Sequence, residues 1–149
     1  MKISRTIVYA VQATVALSQA RCNVPISCRQ LADSGQMPER FLLQILRSLV
    51  ANGVLCSVMG SSGGYYLART PEEITLLDIL DAFDNPLTIP SFPELPGLTS
   101  TVRDRLVTCV AESSFAARQE LEKITLEDLI SSSPRSSRFL NRGLKANAG

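Results

Sequence analysis

The 149-residue chain contains no histidine and no tryptophan. Without histidine, Ser-His-Asp and Cys-His catalysis are excluded, as is every metal site that needs imidazole. No remaining side chain has an ordinary pKa near neutrality. Aromatic residues make up 5% of the chain, so ring stacking has only 3 Tyr and 5 Phe to draw on. A net charge of +1 gives no one-signed field over the whole molecule. No apolar run reaches the ~18 residues of a membrane span, so no membrane partner is expected. The four cysteines, Cys22, Cys28, Cys56 and Cys109, lack the C-x-x-C spacing of a zinc or thioredoxin site. Catalytic residues, metal ligands and cofactors are therefore all expected to be none.

What is present is 45% hydrophobic residues and 19% charged ones, enough apolar content for a packed core and too little charge for wholesale disorder. The length suits one small domain with an appended element. The charge is unevenly spread. Residues 1–70 carry seven cations against two acids (+5), residues 71–130 four against twelve (−8), and residues 131–149 four cations and no acid (+4). A basic front beside an acidic middle suggests two jobs. The first twenty residues superficially copy a signal peptide, with Lys2 and Arg5 ahead of an apolar stretch. Gln12 and Thr14 interrupt that stretch, however, and Ile7, Val8, Val11, Val15 and Ser18 recur at helical spacing. An amphipathic first helix of the fold is the better reading. Scattered thiols without an export signal point to a reducing cytoplasm.

After a connection at residues 22–25, Ser27-Cys28-Arg29-Gln30 has capping-box spacing and opens a short helix with Leu31 and Ala32 inward. Residues 33–36 make a turn, with Gly35 expected to supply a positive φ. Pro38 suits the first position of the next helix. Phe41, Leu42, Ile45, Leu46 and Leu49 form its apolar stripe, and Asn52-Gly53 ends it. The period then switches. Residues 54–59 and 65–68 read as paired strands joined by the glycine-rich tip Gly60–Gly64. Thr75 caps a helix through Phe83, and Asn85-Pro86 stops it. A Pro-punctuated loop precedes a long amphipathic helix from about Thr99 to Lys123, and Thr125 begins a short closing helix.

Helix, helix, turn, helix and a two-stranded wing is the winged helix-turn-helix arrangement. The expected fold is mainly α with a small two-stranded β wing. Its expected divisions are a winged helix-turn-helix DNA-binding domain at 1–84, a Pro-rich loop at 85–98, a long C-terminal dimerisation helix with a short closing helix at 99–130, and a disordered basic tail at 131–149.

Several segments together resemble the Rrf-two family of bacterial winged-helix regulators, which includes IscR-, NsrR- and CymR-type repressors. They are Met1–Ser4 leading to Tyr9-Ala10-Val11, the helix Phe41–Leu49, Gly53-Val54-Leu55, Val58–Ala68 and Pro71–Leu80, within about residues 1–130. The resemblance implies a homodimeric transcription regulator, often tuned by a thiol or an iron–sulfur cluster, that binds a near-palindromic operator in double-stranded DNA. The departures are informative. Cluster-binding members carry three cysteines in the loop before the long helix, whereas residues 85–101 here have none, so no metal cluster is expected. At the wing, Met59 stands where the family has an arginine, and Ser61 and Ser62 replace Pro and Gly. Leu43 stands where an acid is common, and Thr6-Ile7-Val8 replaces Lys-Gly-Arg. The operator should therefore differ from the family's.

The candidate DNA-binding residues are Ser27, Cys28, Arg29, Pro38, Glu39, Arg40, Leu43, Gln44, Arg47, Met59, Ser61, Ser62 and Gly63. Arg40 and Gln44 would read base edges, while Arg29 and Arg47 would meet phosphate. The amides opening the helix at Ser27 could also face a phosphate. Gly60–Gly64 lacks a following Lys-Ser/Thr and so does not read as a nucleotide loop; its glycines would let the tip approach DNA. Val102, Leu106, Cys109, Val110 and Leu121 are the candidate dimerisation residues. Cys28, at a helix N-terminus beside Arg29, has a setting that lowers a thiol pKa, with Cys22 as a conceivable redox partner. Two competing functions are a winged-helix protein-interaction module with little DNA affinity and a cysteine-based redox sensor.

Overall fold

The structure is a computed structural model that describes residues 4–20, 24–83 and 97–131. Cys22, most of the Pro-rich loop and nearly all of the basic tail lie outside them. The elements are α1 (Arg5–Ser18), α2 (Cys28–Gly35), α3 (Glu39–Ala51), β1 (Leu55–Val58), β2 (Gly64–Leu67), α4 (Leu76–Asp81), α5 (Ser100–Glu122) and α6 (Leu126–Ile130). This is the expected mainly helical winged helix-turn-helix with a long helix after it.

Local chemistry sets most of the boundaries. Ser27, Thr75 and Thr125 each accept from the backbone amide three residues on, while Gln30, Asp78 and Asp128 reach back to the cap amide. These three reciprocal caps satisfy orphan donors at α2, α4 and α6. The end of α3 is closed as tightly. Gly53 takes φ +69°, its amide donates to the Val50 carbonyl at 3.1 Å, and the Val54 amide donates to Leu49 at 2.9 Å. Leu49 and Val54 are both fully buried, which adds the apolar contact that accompanies this helix stop.

Two backbone expectations shift by one residue. The left-handed position between α2 and α3 falls on Gln36 (φ 52°), and Gly35 stays helical. A Cβ on Gly35 would press on the flexible end of Met37 and on Gln12, whose amide nitrogen donates to the Gly35 carbonyl at 3.0 Å. Pro38 is the N-cap of α3, not its first helical residue, and its carbonyl accepts from Phe41 and Leu42.

The core gathers Leu42, Ile45, Leu46 and Leu49 of α3 with Leu31, Val54, Leu55, Ile74, Ile79 and Leu126. Each such side chain removed from water is worth about 1.5–3 kcal/mol. Helix α1 contributes Ile7, Ala10, Ala13, Thr14 and Leu17; of the expected row only Ile7 is buried, while Val11 and Val15 are half-buried against the core and Val8 is exposed. Ala10 and Ala13 are completely buried, so the helix packs on its small residues, which permit close approach. Thr14 is buried without penalty because its hydroxyl donates to the carbonyls of Ala10 and Val11. The valine side of α1 instead lines an apolar cavity of about 280 Å³ with Leu76, Leu80, Leu121 and Leu129.

Helix α6 belongs to this core. The Leu76 amide donates to Ile124 and the Leu126 amide to Ile74, both at 2.8 Å, a two-residue antiparallel bridge that seats the fully buried Leu126. Helix α5 differs. It runs for 23 residues and buries none of them.

Candidate nucleic-acid interface

Helix α3 carries two quartets at the same i, i+3, i+4, i+7 spacing. Leu42, Ile45, Leu46 and Leu49 point into the core. Arg40, Leu43, Gln44 and Arg47 lie on the opposite face, with Arg40, Gln44 and Arg47 exposed and Leu43 half-buried. The amphipathic period that anchors the helix therefore also aims its polar row outward. Among the described residues, Arg29, Arg40 and Arg47 form no ion pair, so their charges remain available to a ligand.

The wing stands beside that row. Strands β1 and β2 pair antiparallel, with Leu55 opposite Leu67 and Val58 opposite Gly64. The tip turns through Gly60 at φ +114°, and the Gly63 amide donates to the Gly60 carbonyl at 3.0 Å. Met59 projects from it 93% exposed, and Ser61 and Ser62 are also exposed. Leu43 and Arg47 of α3 and Val58 and Met59 of the wing line one groove of about 430 Å³, floored in part by Val50 and Tyr65. The structure thus brings Leu43, Arg47 and Met59 together. It does not bring Ser61 or Ser62 into that groove.

Two of the hairpin glycines, Gly63 and Gly64, have an internal reason of their own. A Cβ on Gly63 would collide with the Val58 carbonyl oxygen, and one on Gly64 would sit 2.5 Å from the Ile26 backbone. Ile26 is in fact a third partner of the wing: its amide donates to the Tyr65 carbonyl at 3.0 Å and its carbonyl accepts from the Tyr65 amide at 2.9 Å. The segment before α2, which has the look of a plain connection, ties the wing to the helix-turn-helix. Nothing in the local sequence signals this bridge, apart from the pair of glycines that makes room for it.

At the start of α2, Ser27 accepts from the Gln30 amide and its own amide donates to the Gln30 side chain. The Cys28 thiol donates to the Glu39 carbonyl across the turn, S to O 3.7 Å. The expectation of a lowered Cys28 pKa is reversed. Burial, and then the Glu39 carboxylate, push the thiol up. Pro38 and Glu39 are exposed at the entrance to α3.

Helix α5 shows the other candidate surface. Val102 (52% exposed), Leu106 (43%) and the exposed Cys109 follow one another at spacings of four and three, a narrow apolar seam. Val110 is half-buried beside them, and Leu121 lines the apolar cavity of its own chain. Phe115, 63% exposed on another side of the helix, was not among the expected residues. An isolated Phe between Ser114 and Ala116 breaks the apolar repeat that would have drawn attention to it.

With this geometry in view, the sequence profile of a family described as Rrf2, iron-dependent transcriptional regulator, matches residues 3–132. The chain belongs to the Rrf2 family. It is 33% identical over 130 residues to a protein of Mycobacterium tuberculosis assigned to the HTH-type transcriptional regulators, covering 87% of this chain and 81% of that one. The structure of CymR from B. subtilis, described as its global cysteine regulator, superposes with a TM-score of 0.67 at 27% identity, over 89% of this chain and 98% of CymR. IscR of T. potens gives 0.63 at 27%, over 100% and 93%. This Rrf2 chain is thus a DNA-binding transcriptional regulator, and the family and these relatives are regulators, not enzymes. The family's description raises the question of iron. Among the described residues, no three His, Cys, Asp or Glu side chains come together as a metal site. Cys28, Cys56 and Cys109 stand singly on α2, β1 and α5. The described residues of this Rrf2 chain do not fit a thiolate-held cluster.

Proposed function

We propose that the chain is a cytoplasmic, homodimeric transcriptional repressor that recognises a near-palindromic operator without a cysteine-ligated iron–sulfur cluster. The observation that carries this reading is the exposed α3 row of Arg40, Gln44 and Arg47, whose Arg47 end shares a groove with the projecting wing. Arg40 and Gln44 present donors suited to guanine and adenine edges, and Arg47 and Arg29 supply charge for phosphate. Residues 1–84 bind DNA, and residues 99–130 join the subunits through the Val102–Leu106–Cys109 seam, with α6 doubling as a core element of the first unit. The pairing sets two α3 helices about one DNA turn apart, ~34 Å.

The test is selection of bound fragments from a random duplex pool at two salt concentrations. Recovery of a near-palindrome whose binding weakens at higher salt is expected. Arg40→Ala should then cost about 1–3 kcal/mol at one base position per half-site, whereas Arg47→Ala weakens all sequences and flattens the salt slope. Folded protein that selects nothing would instead make the chain a winged-helix interaction module.

A further inference from the structure

The exposed quartet on α3 contains one residue that cannot take part in hydrogen bonding. Arg40, Gln44 and Arg47 all donate; Leu43 neither donates nor accepts. It is also not hidden in the core, whose α3 contribution is the opposite quartet. Leu43 is half-buried on the wall of the groove that α3 shares with the wing, next to Arg47 and across from Val58 and Met59. A duplex that receives Arg40 and Gln44 in its major groove must place base edges against this side chain too, because residues at i, i+3 and i+4 share one face. The amino, keto and ring-nitrogen groups of those edges would lose water there and gain no partner. One group in the major groove suits an apolar neighbour: the C5 methyl of thymine.

We infer that Leu43 is a specificity-determining residue that selects thymine by burying its methyl group. The inference rests on the DNA-binding reading above and adds the base class that reading leaves open. Gln44, beside Leu43, favours adenine through its N6 and N7. Each half-site therefore contains an A·T-rich step under the middle of α3, with a thymine at the Leu43 position.

The experiment leaves the wild-type protein intact and alters the DNA. In the selected operator, thymines are replaced one at a time by deoxyuridine, which removes the methyl and keeps every hydrogen-bonding group. Equilibrium binding should weaken about fourfold at one thymine per half-site, and about fifteenfold when both symmetric positions are changed, as expected for loss of one buried methyl at each. Leu43→Ala, checked for folding by circular dichroism, should bind the thymine and deoxyuridine operators alike within about twofold. Equal binding of both operators by the wild type would overturn the proposal. So would a deoxyuridine penalty that persists unchanged in Leu43→Ala, since another residue would then be reading the methyl. Failure to select any operator is a separate result that sinks the DNA-binding reading itself.

Discussion

The winged-helix portion and helix α5 treat their apolar residues in opposite ways. In the first, Leu42, Leu46, Leu49, Val54, Ile74, Ile79 and Leu126 are fully buried, and three reciprocal caps tie off the helices around them. In the second, 23 residues form a helix with nothing buried, and Val102, Leu106 and Phe115 face outward. One region satisfies its own hydrophobic demand within a single chain. The other carries an exposed apolar seam, and it meets the rest of the fold through Leu121 in the apolar cavity and the two-pronged Arg118–Asp81 pair, at 2.8 and 2.7 Å. The contrast separates the residues that make the fold from those available to make an assembly.

The contrast is broken most directly at the seam. Leu106→Glu should abolish dimerisation at micromolar concentration while circular dichroism of the fold is retained. Two leucines per symmetric interface, at about 1.5–3 kcal/mol each, put the loss at about 3–6 kcal/mol. Sedimentation velocity would show it, and a variant that still sediments as a dimer would place the interface elsewhere. Next in size, Leu49→Ala removes a fully buried side chain and should lower unfolding free energy by about 2–5 kcal/mol in urea titration. A much smaller loss would mean that the first region is not self-sufficient. Thr75→Ala deletes one cap of α4 and should cost about 1 kcal/mol by the same titration. The smallest effect belongs to Arg118→Ala. Both partners of its pair are more than a third exposed, so solvent screens them and the change should stay below about 1 kcal/mol and shrink further in high salt.

Features decided within a few residues were legible in the sequence. The Ser27–Gln30 box, the stop at Gly53, the core stripe of α3 and the strand period of the wing all depend on neighbours in the chain, so spacing reveals them. Features decided across the fold were not. The inward face of α1 is chosen by how closely a neighbouring helix can approach, which favours Ala10 and Ala13 over valines of higher hydropathy. The burial of Leu126 depends on a bridge to Ile74, and the wing's third partner is Ile26, nearly forty residues before its tyrosine neighbour. The Cys28 thiol shows the same division. A helix N-terminus is visible in sequence, whereas the burial and the Glu39 carboxylate that push the thiol up come from tertiary packing. At the candidate site, the polar row of α3 was readable from its period; the groove that joins Leu43 to Met59 needed the placement of the wing.

The Ile26–Tyr65 bridge has a consequence for how a bound duplex is measured. A wing anchored only by its own hairpin would swing and let its tip follow a groove of variable width. Here the strand is pinned on its far side to the residue just before α2, and Gly64 leaves no slack between them. Under the proposed reading, the helix that enters one groove and the tip that reaches toward the next would be parts of a single gauge with one fixed span. Such a gauge would tolerate altered base-pair spacing only at the junction of its two copies, where α5 meets its twin. An inserted base pair inside a half-site would leave the tip over the wrong phosphate.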